Sequence, residues 1–113
     1  ARMVIFLLAI FLFGCNYSSK SADLIDAAAE GNNPRIEQLL NSGASIDSRA
    51  RDDWTALTVA SREGHATTVK LLLERGANVN AKEGGGHTAL FWAHRNNHPE
   101  IEDMLNHAGG INE

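Results

Sequence analysis

A pair of histidines is the first group in this sequence that could do chemistry. His94 and His98 are four residues apart, a spacing that can present two imidazole ligands to a metal ion from one face of a helix. Asn97 stands between them, and asparagine tolerates the left-handed backbone conformation that ends a helix. We therefore expect Asn97 to break the helix between the two histidines. The sequence predicts no metal site here.

Three further groups favour structural roles over catalysis. Glu100, Glu102 and Asp103 form an acidic cluster that a solvated face at one end of the molecule explains. Residues 84–86 are three glycines, but no Lys-Ser or Lys-Thr pair follows them, as a phosphate-binding loop requires. Cys15 is the only cysteine, so it forms no intramolecular disulfide, and its position beside an apolar run makes it a poor nucleophile. We predict a protein that is not an enzyme and binds no cofactor.

The residues that define the structural elements of this chain recur every 33 residues along it. A fixed period of this size indicates a stacked array of repeats, in which each unit buries its apolar face against its neighbours. A recurring alanine fits such packing, because helices in adjacent units approach closely only where a small side chain lies between them. This organisation points to a binding surface rather than a catalytic pocket. The recurring positions are Leu24, Leu57 and Leu90; Ala27, Ala60 and Ala93; and Gly43, Gly76 and Gly109.

Each unit is predicted to contain two short helices. In the middle unit Thr55 can cap a helix over residues 56–63, because its hydroxyl can accept a hydrogen bond from an unpaired backbone N–H, and Gly64 ends that helix. A second helix is predicted over residues 67–75, where apolar residues follow the i, i+3, i+4 spacing of one helix face. In the outer units a proline stands where the second helix begins, a position that suits proline. These prolines are Pro34 and Pro99.

Four segments of the middle unit form a recognisable pattern. They are Thr-Ala-Leu-Thr-Val-Ala at 55–60, Gly-His at 64–65, Val-Lys-Leu-Leu-Leu at 69–73 and Gly-Ala-Asn-Val-Asn at 76–80. This unit resembles the ankyrin repeat, because its length and its Thr-x-Leu-x-x-Ala pattern match the family signature. The resemblance implies an all-α solenoid of three helix-turn-helix units joined by β-turn or hairpin loops.

The predicted ankyrin-repeat domain covers residues 21–113. Its repeats lie at about 21–49, 50–82 and 83–113. The outer units carry polar residues on their second helices where the middle unit is apolar, as terminal repeats require for solubility. We expect three repeats to be the whole array, and the alternative is a truncated one.

The sequence departs from the family signature at two positions of every unit and in one hairpin. We expect the hydrogen bonds that the family makes from the signature histidine to be missing, and the local turn geometry to differ, with the fold retained. The signature proline is replaced by Asp23, Ala56 and Ala89, the signature histidine by Ile25, Thr58 and Phe91, and the usual hairpin glycine by Asp53.

Similarity to the family implies that the hairpin tips and the first helix of each unit line a concave surface for protein–protein recognition. Trp54 is the leading candidate, because Trp and Arg are enriched among interface hot spots and a hairpin tip offers a Trp little core to enter. The alternative is that Trp54 folds back over its own first helix. Trp92 lies inside a helix next to Ala93, and we expect it in the core. The predicted partner-binding residues are Arg51, Asp52, Trp54, Arg62, Glu63, His87, Arg95 and Asn96.

Residues 1–14 have the pattern of a signal peptide. Arg2 precedes eleven uninterrupted apolar residues, 3–13, which as a helix reach only about half of a ~30 Å hydrocarbon core. Residues 12–15, Leu-Phe-Gly-Cys, are similar to the bacterial lipobox, after which cleavage leaves a lipid-modified cysteine. We therefore expect Cys15 to be lipidated and followed by a short linker to residue 20. The alternatives are an ordinary signal peptide with an incidental cysteine, and an uncleaved anchor.

Charge and length fit a small exported domain. The formal net charge is −4 at pH 7, and loss of Arg2 with the signal peptide makes it −5, so we predict no nucleic-acid partner bound through a basic surface. We expect a monomeric interaction module that binds a protein partner. It is expected in the periplasm or cell envelope, anchored to a membrane through the lipidated Cys15, and Asn16 favours the outer membrane. The alternatives are an inhibitor or immunity-type protein that binds one exported enzyme or toxin, and a periplasmic protein that handles a small molecule or metal.

Overall fold

Six short helices make up the described part of the chain. The computed structural model describes residues 20–110, and the predicted signal peptide of residues 1–14, the lipidated Cys15 and the linker up to residue 19 lie outside the described residues. No strand forms between residues 20 and 110, so the predicted all-α architecture is confirmed. The helices are α1 (residues 20–30), α2 (Asn33–Asn41), α3 (Ala56–Glu63), α4 (Ala66–Glu74), α5 (Ala89–Arg95) and α6 (Pro99–His107), with a short 3-10 turn at Arg51–Asp53 before α3.

The helices form two rows that enclose the core. Helix α3 packs beside α5 in one row, and α2, α4 and α6 pack side by side in the other. Within a unit the two helices pack against each other, α3 on α4 and α5 on α6. The leucines and alanines that recur in every unit are all buried between these helices, as the repeat pattern predicts. The largest apolar side chains of the core are Leu24, Ile36, Leu57, Val69, Leu72, Ile101 and Leu105.

A pair of threonines fixes the start of α3. Thr55 lies at the predicted capping position, and its hydroxyl accepts a hydrogen bond from the backbone N–H of Thr58 at 3.3 Å. The Thr58 hydroxyl in turn accepts from the backbone N–H of Thr55 at 2.9 Å. Two unpaired donors at the helix end are thereby satisfied reciprocally. Thr58, at the signature-histidine position, therefore makes hydrogen bonds of its own within the cap of α3.

The helix ends follow the predicted glycine pattern. Helix α3 ends at Glu63, and Gly64 adopts a φ of 85° in the left-handed region, where glycine has no steric penalty. Helix α4 begins and ends one residue earlier than predicted, at Ala66 and Glu74, because Arg75 already leaves the helical conformation before Gly76. The prolines of the outer units lie in the first turns of α2 and α6, as expected.

Histidine side chains tie successive units together. The ring of His65 donates from Nε2 to the carbonyl oxygen of Ala29 at 2.8 Å, and His98 donates from Nε2 to the carbonyl oxygen of Arg62 at 3.2 Å. Each bond runs from the capping residue of the second helix of one unit to the end of the first helix of the unit before it. Both histidines thus have a structural role at the contact between units.

The hairpins that precede the first helices are closed in the same way in units two and three. The backbone N–H of Ala50 donates to the carbonyl oxygen of Trp54 at 2.9 Å, and at the equivalent place in the next unit Glu83 donates to His87 at 3.0 Å. The Arg49 guanidinium bridges the two hairpins, because it donates to the carbonyl oxygens of Asp53 at 3.1 Å and Lys82 at 2.7 Å. These bonds close each hairpin and hold the two hairpins together.

Candidate binding site

Trp54 lies between the hairpin of unit two and the start of helix α3. Its side chain is half-buried and packs against the hydrophobic core. The Arg62 guanidinium of α3 lies over the Trp54 ring, 4.7 Å from its centroid. Trp54 also contacts Trp92 of unit three, with ring centroids 5.3 Å apart and planes inclined by 42°. Trp54 thus folds over its own first helix and also contacts the next unit.

Aromatic side chains from unit three extend this contact. His87 stacks on Phe91 with centroids 3.8 Å apart and planes inclined by 9°, and Phe91 meets Trp92 edge to face at 5.4 Å. The Arg95 guanidinium lies 6.0 Å from the Trp92 ring centroid. Four rings and two guanidinium groups therefore form one continuous surface. We call it the aromatic–arginine face, and it consists of Trp54, Arg62, His87, Phe91, Trp92 and Arg95.

Polar contacts hold the edge of this face. Arg62 donates from Nε to the Glu63 carboxylate at 2.9 Å, and the two side chains remain about two-fifths exposed. Asn96 of unit three donates from Nδ2 to the carbonyl oxygen of Arg62 at 2.9 Å. The ends of α3 and α5 are thereby fixed relative to each other, and the arginine over Trp54 is held in place by its own neighbour.

The structure brings six of the eight predicted binding residues together. Arg51 and Asp52 lie apart from them at the hairpin tip, where both are exposed. Asp52 contributes its backbone there, because its carbonyl oxygen accepts a hydrogen bond from the N–H of Gly84 in the next hairpin. The six that converge are Trp54, Arg62, Glu63, His87, Arg95 and Asn96.

Two members of the face were not predicted to belong to it. Phe91 stands at the signature-histidine position, and Trp92 was expected in the core. Trp92 is only half-buried, and its ring contacts Trp54 of unit two. The four-residue spacing of His87 and Phe91 places both rings on one side of the helix start, and this was the signal available in the sequence. The indole Nε1 of Trp92 is buried without a hydrogen-bond partner within residues 20–110.

The helix breaks between His94 and His98, as predicted. Asn97 has a φ of 60° and separates α5 from α6. His94 donates from Nδ1 to the Glu102 carboxylate at 2.8 Å, whereas His98 donates to a backbone carbonyl of unit two. In the described part of the chain, no three His, Cys, Asp or Glu side chains lie close enough together to hold a metal ion.

The acidic cluster is only partly the solvated face that we expected. Glu100 and Asp103 are exposed, but the Glu102 side chain is 25% exposed and is paired with His94. Glu102 occupies the position in unit three that Val69, which is fully buried, occupies in unit two. The position therefore faces the end of the stack, and the Glu102 carboxylate there accepts a hydrogen bond from the His94 ring. None of the helices between residues 20 and 110 is long and apolar enough to cross a membrane.

A stack of helix pairs with a preformed surface across two units defines a helical repeat protein of the interaction type. The family model for ankyrin repeats, in three copies, matches residues 24–112. The chain belongs to the ankyrin-repeat family, whose members generally serve as non-catalytic modules for protein–protein interaction.

One curated relative is similar to part of this chain. The mitochondrial disaggregase of Bos taurus is 39% identical over 54 residues, which cover 48% of this chain and 8% of that protein. The similar segment is therefore a small part of the relative's length, and the disaggregase activity in that protein's name is a property of the relative.

Proposed function

We propose that this chain binds a protein partner through the aromatic–arginine face. The observation that carries the proposal is the meeting of Trp54 and Trp92 from successive units at the surface, each with an arginine beside it. Tryptophan and arginine are the side chains most enriched at the energetic centres of protein interfaces. Rings that are already packed lose little conformational freedom on binding, so a preformed face of this kind favours affinity.

The test compares binding with stability in matched variants. A fragment of residues 20–113 is immobilised, partners are captured from envelope extracts, and the retained protein is then titrated against each variant by calorimetry. We expect Arg95→Ala to weaken binding by about 1–2 kcal/mol and to change the free energy of unfolding by less than about 0.5 kcal/mol, because Arg95 is exposed. Trp54→Ala should weaken binding further and also cost stability, since Trp54 packs against the core.

The control for this experiment is Lys70→Ala. Lys70 is exposed on α4, in the second row of helices, so its loss should leave binding unchanged. Equal affinity of the Arg95→Ala and Trp54→Ala variants and the parent would exclude the aromatic–arginine face as the binding surface.

We propose further that the chain is exported and anchored to an envelope membrane through Cys15. Support comes from the residue pattern alone: Arg2, the apolar residues 3–13 and the lipobox-like residues 12–15. Acyl chains on Cys15 would supply the anchor, with about 0.8 kcal/mol for each buried methylene.

Metabolic lipid labelling in a bacterial host tests this anchor. The parent chain should carry the label and sediment with membranes, and Cys15→Ser should lose both properties. A Ser18→Ala variant, which leaves the lipobox-like residues intact, should behave as the parent. An intact N-terminus on the parent chain would contradict the proposal.

A further inference from the structure

We propose that the groove between α4 and α6 is a second protein-binding site, and that its occupant is a segment with an apolar side chain flanked by Lys or Arg. The groove lies on the second row of helices, so it is separate from the aromatic–arginine face and goes beyond the proposed function. Its floor is apolar and its rim is acidic, and the ion pair that spans the neighbouring contact between α2 and α4 has no counterpart here.

The floor of the groove consists of two apolar side chains. Leu73 of α4 and Met104 of α6 are half-buried, and both pack against the hydrophobic core. The groove has a volume of about 430 Å³, which lies in the size range of clefts that bind ligands. Methionine is common at surfaces that accept different apolar side chains, because its unbranched chain adapts its shape. The floor can therefore receive a bulky apolar side chain.

The rim of the groove carries an excess of acidic side chains. Glu74 of α4 and Glu100 and Asp103 of α6 are all exposed, and none of the three carboxylates forms an ion pair within residues 20–110. Lys70 contributes one ammonium group, so the rim has a net charge of −2 while His107 is neutral. The His107 ring donates from Nδ1 to the backbone carbonyl oxygen of Asp103 at 2.6 Å. The carboxylates at the rim are therefore free to meet a cation from outside the chain.

The contact between α2 and α4 shows how the preceding pair of helices balances its charge. Glu37 of α2 pairs with Arg75, the residue that follows α4, at 3.5 Å. In the next unit Lys70 and Ala108 stand at the positions of Glu37 and Arg75. Within residues 20–110, no ion pair spans α4 and α6. An ion pair thus crosses the first of these two contacts, and the second lacks the arginine.

Charge complementarity selects the occupant of the groove. An acidic rim repels nucleic acid and the anionic headgroups of a lipid surface, whereas it attracts Lys and Arg side chains. Exposed ion pairs contribute little affinity one by one, but several around an apolar contact determine which segment binds and how fast it associates. Carboxylates lie on both helices of the groove, so the segment that fits has basic residues on either side of the apolar side chain that contacts Leu73 and Met104.

The side chain of Met104 reports on the groove directly. The full-length protein labelled with 13C at its methionine methyl groups gives two signals, from Met3 and Met104, and Met104→Leu identifies the second. The probe is the peptide acetyl-Lys-Lys-Leu-Leu-Lys-Lys-amide, and its control has Glu in place of every Lys. We expect the Lys peptide to shift the Met104 signal in a saturable way, with an affinity about tenfold higher than that of the Glu peptide and lower at higher salt concentration.

Two double variants of equal net charge complete the test. Glu100→Gln with Asp103→Asn should weaken binding of the Lys peptide at least about fivefold. Asp26→Asn with Glu30→Gln, at exposed positions of α1, removes the same charge elsewhere and should leave the affinity unchanged. Equal affinities of the two peptides, no shift of the Met104 signal, or equal affinities of the two double variants would overturn the proposal. A shift on dilution of the protein alone would assign the groove to a second copy of the chain and would also overturn it.

Discussion

Asp53 occupies a backbone conformation that glycine adopts in the next unit. Asp52 and Asp53 have φ values of 60° and 63°, in the left-handed region that L-residues rarely adopt. Gly86, at the matching hairpin position of the next unit, has a φ of 86°. A left-handed residue with a side chain costs roughly 1–2 kcal/mol, whereas glycine has no such penalty. Strain is thus stored in the hairpin that leads into Trp54.

A reciprocal pair of substitutions measures this strain. We expect Asp53→Gly to raise the free energy of unfolding by about 0.5–1 kcal/mol, because relief of the strain is offset in part by the greater backbone freedom of glycine in the unfolded chain. Gly86→Asp should lower it by a similar amount, since a Cβ at Gly86 meets no atom within 4 Å and only the conformational cost remains. Urea unfolding followed by circular dichroism provides both values. Changes of the same sign in the two variants would show that the positions are not equivalent.

Single residues also show where prediction from the sequence stops. The cap at Thr55 was predictable, because a Thr before an apolar helix is a local signal. The reciprocal bond from Thr58 was missed, since the family comparison indicated only that a histidine was lost. The position of the Trp54 side chain could not be predicted, because a hairpin residue can pack on its own helix or on a neighbouring unit. How far the side chain is buried depends on how closely the two units approach each other.

At the scale of elements, the glycines that follow the helices differ in how closely the next unit approaches them. Gly64 ends α3 with a φ of 85°, and a Cβ at this position would lie 2.6 Å from the Cε1 atom of the His98 ring. Gly76 follows α4 with a φ of 86°, but a Cβ there meets no atom within 4 Å. The two glycines share a backbone conformation, and only Gly64 lies at a contact between units.

Substitution of these two glycines by alanine separates the cost of the left-handed backbone conformation from the cost of the contact with the next unit. We expect Gly76→Ala to lower the free energy of unfolding by about 1 kcal/mol, the cost of a left-handed alanine. Gly64→Ala should lower it by at least about 2 kcal/mol, because the His98 ring must also move and its bond to the Arg62 carbonyl is strained. Unfolding in urea measures both. Equal losses in the two variants would mean that the ring moves away freely and that the bond between units contributes little.

The elements themselves were largely predictable, but their mutual arrangement was not. The repeat period, the caps and the helix-ending glycines place α3 correctly and α4 to within one residue. Six of the eight residues that the family resemblance nominated converge in space. Phe91 and Trp92 joined them unpredicted, because helical spacing indicates which residues share a face but not which hairpin of the neighbouring unit covers that face.

The whole molecule depends on contacts between neighbouring units. Leu72 is fully buried in the middle unit, where it packs within one core that runs through all three units. A repeat array is stabilised by the units and by the interfaces between them. With two interfaces in the stack, damage to the middle unit weakens both. We therefore expect one cooperative unfolding transition for the three units.

Substitution of Leu72 tests this coupling. Leu72→Ala should lower the free energy of unfolding by about 2–5 kcal/mol, a large share of the roughly 5–15 kcal/mol that stabilises a small domain. The variant should be partly unfolded at 37 °C by circular dichroism and should still unfold in a single transition. Leu73→Ala, in which the neighbouring half-buried leucine is lost, should cost less. A loss for Leu72→Ala no larger than for Leu73→Ala would contradict the assignment of Leu72 to the core.

The bond from Arg49 to the Lys82 carbonyl joins positions that are equivalent in successive units. This contact fastens the hairpin of unit two to that of unit three across a sequence distance of one repeat. Duplication of the gene segment that encodes residues 50–82 would insert one more unit, which could pack against its neighbours as the present middle unit does. At the new junction Lys82 of the first copy would stand in the place of Arg49. In this architecture the length of the recognition surface can therefore change by duplication of a repeat. One duplication adds a second copy of Trp54 and of Arg62.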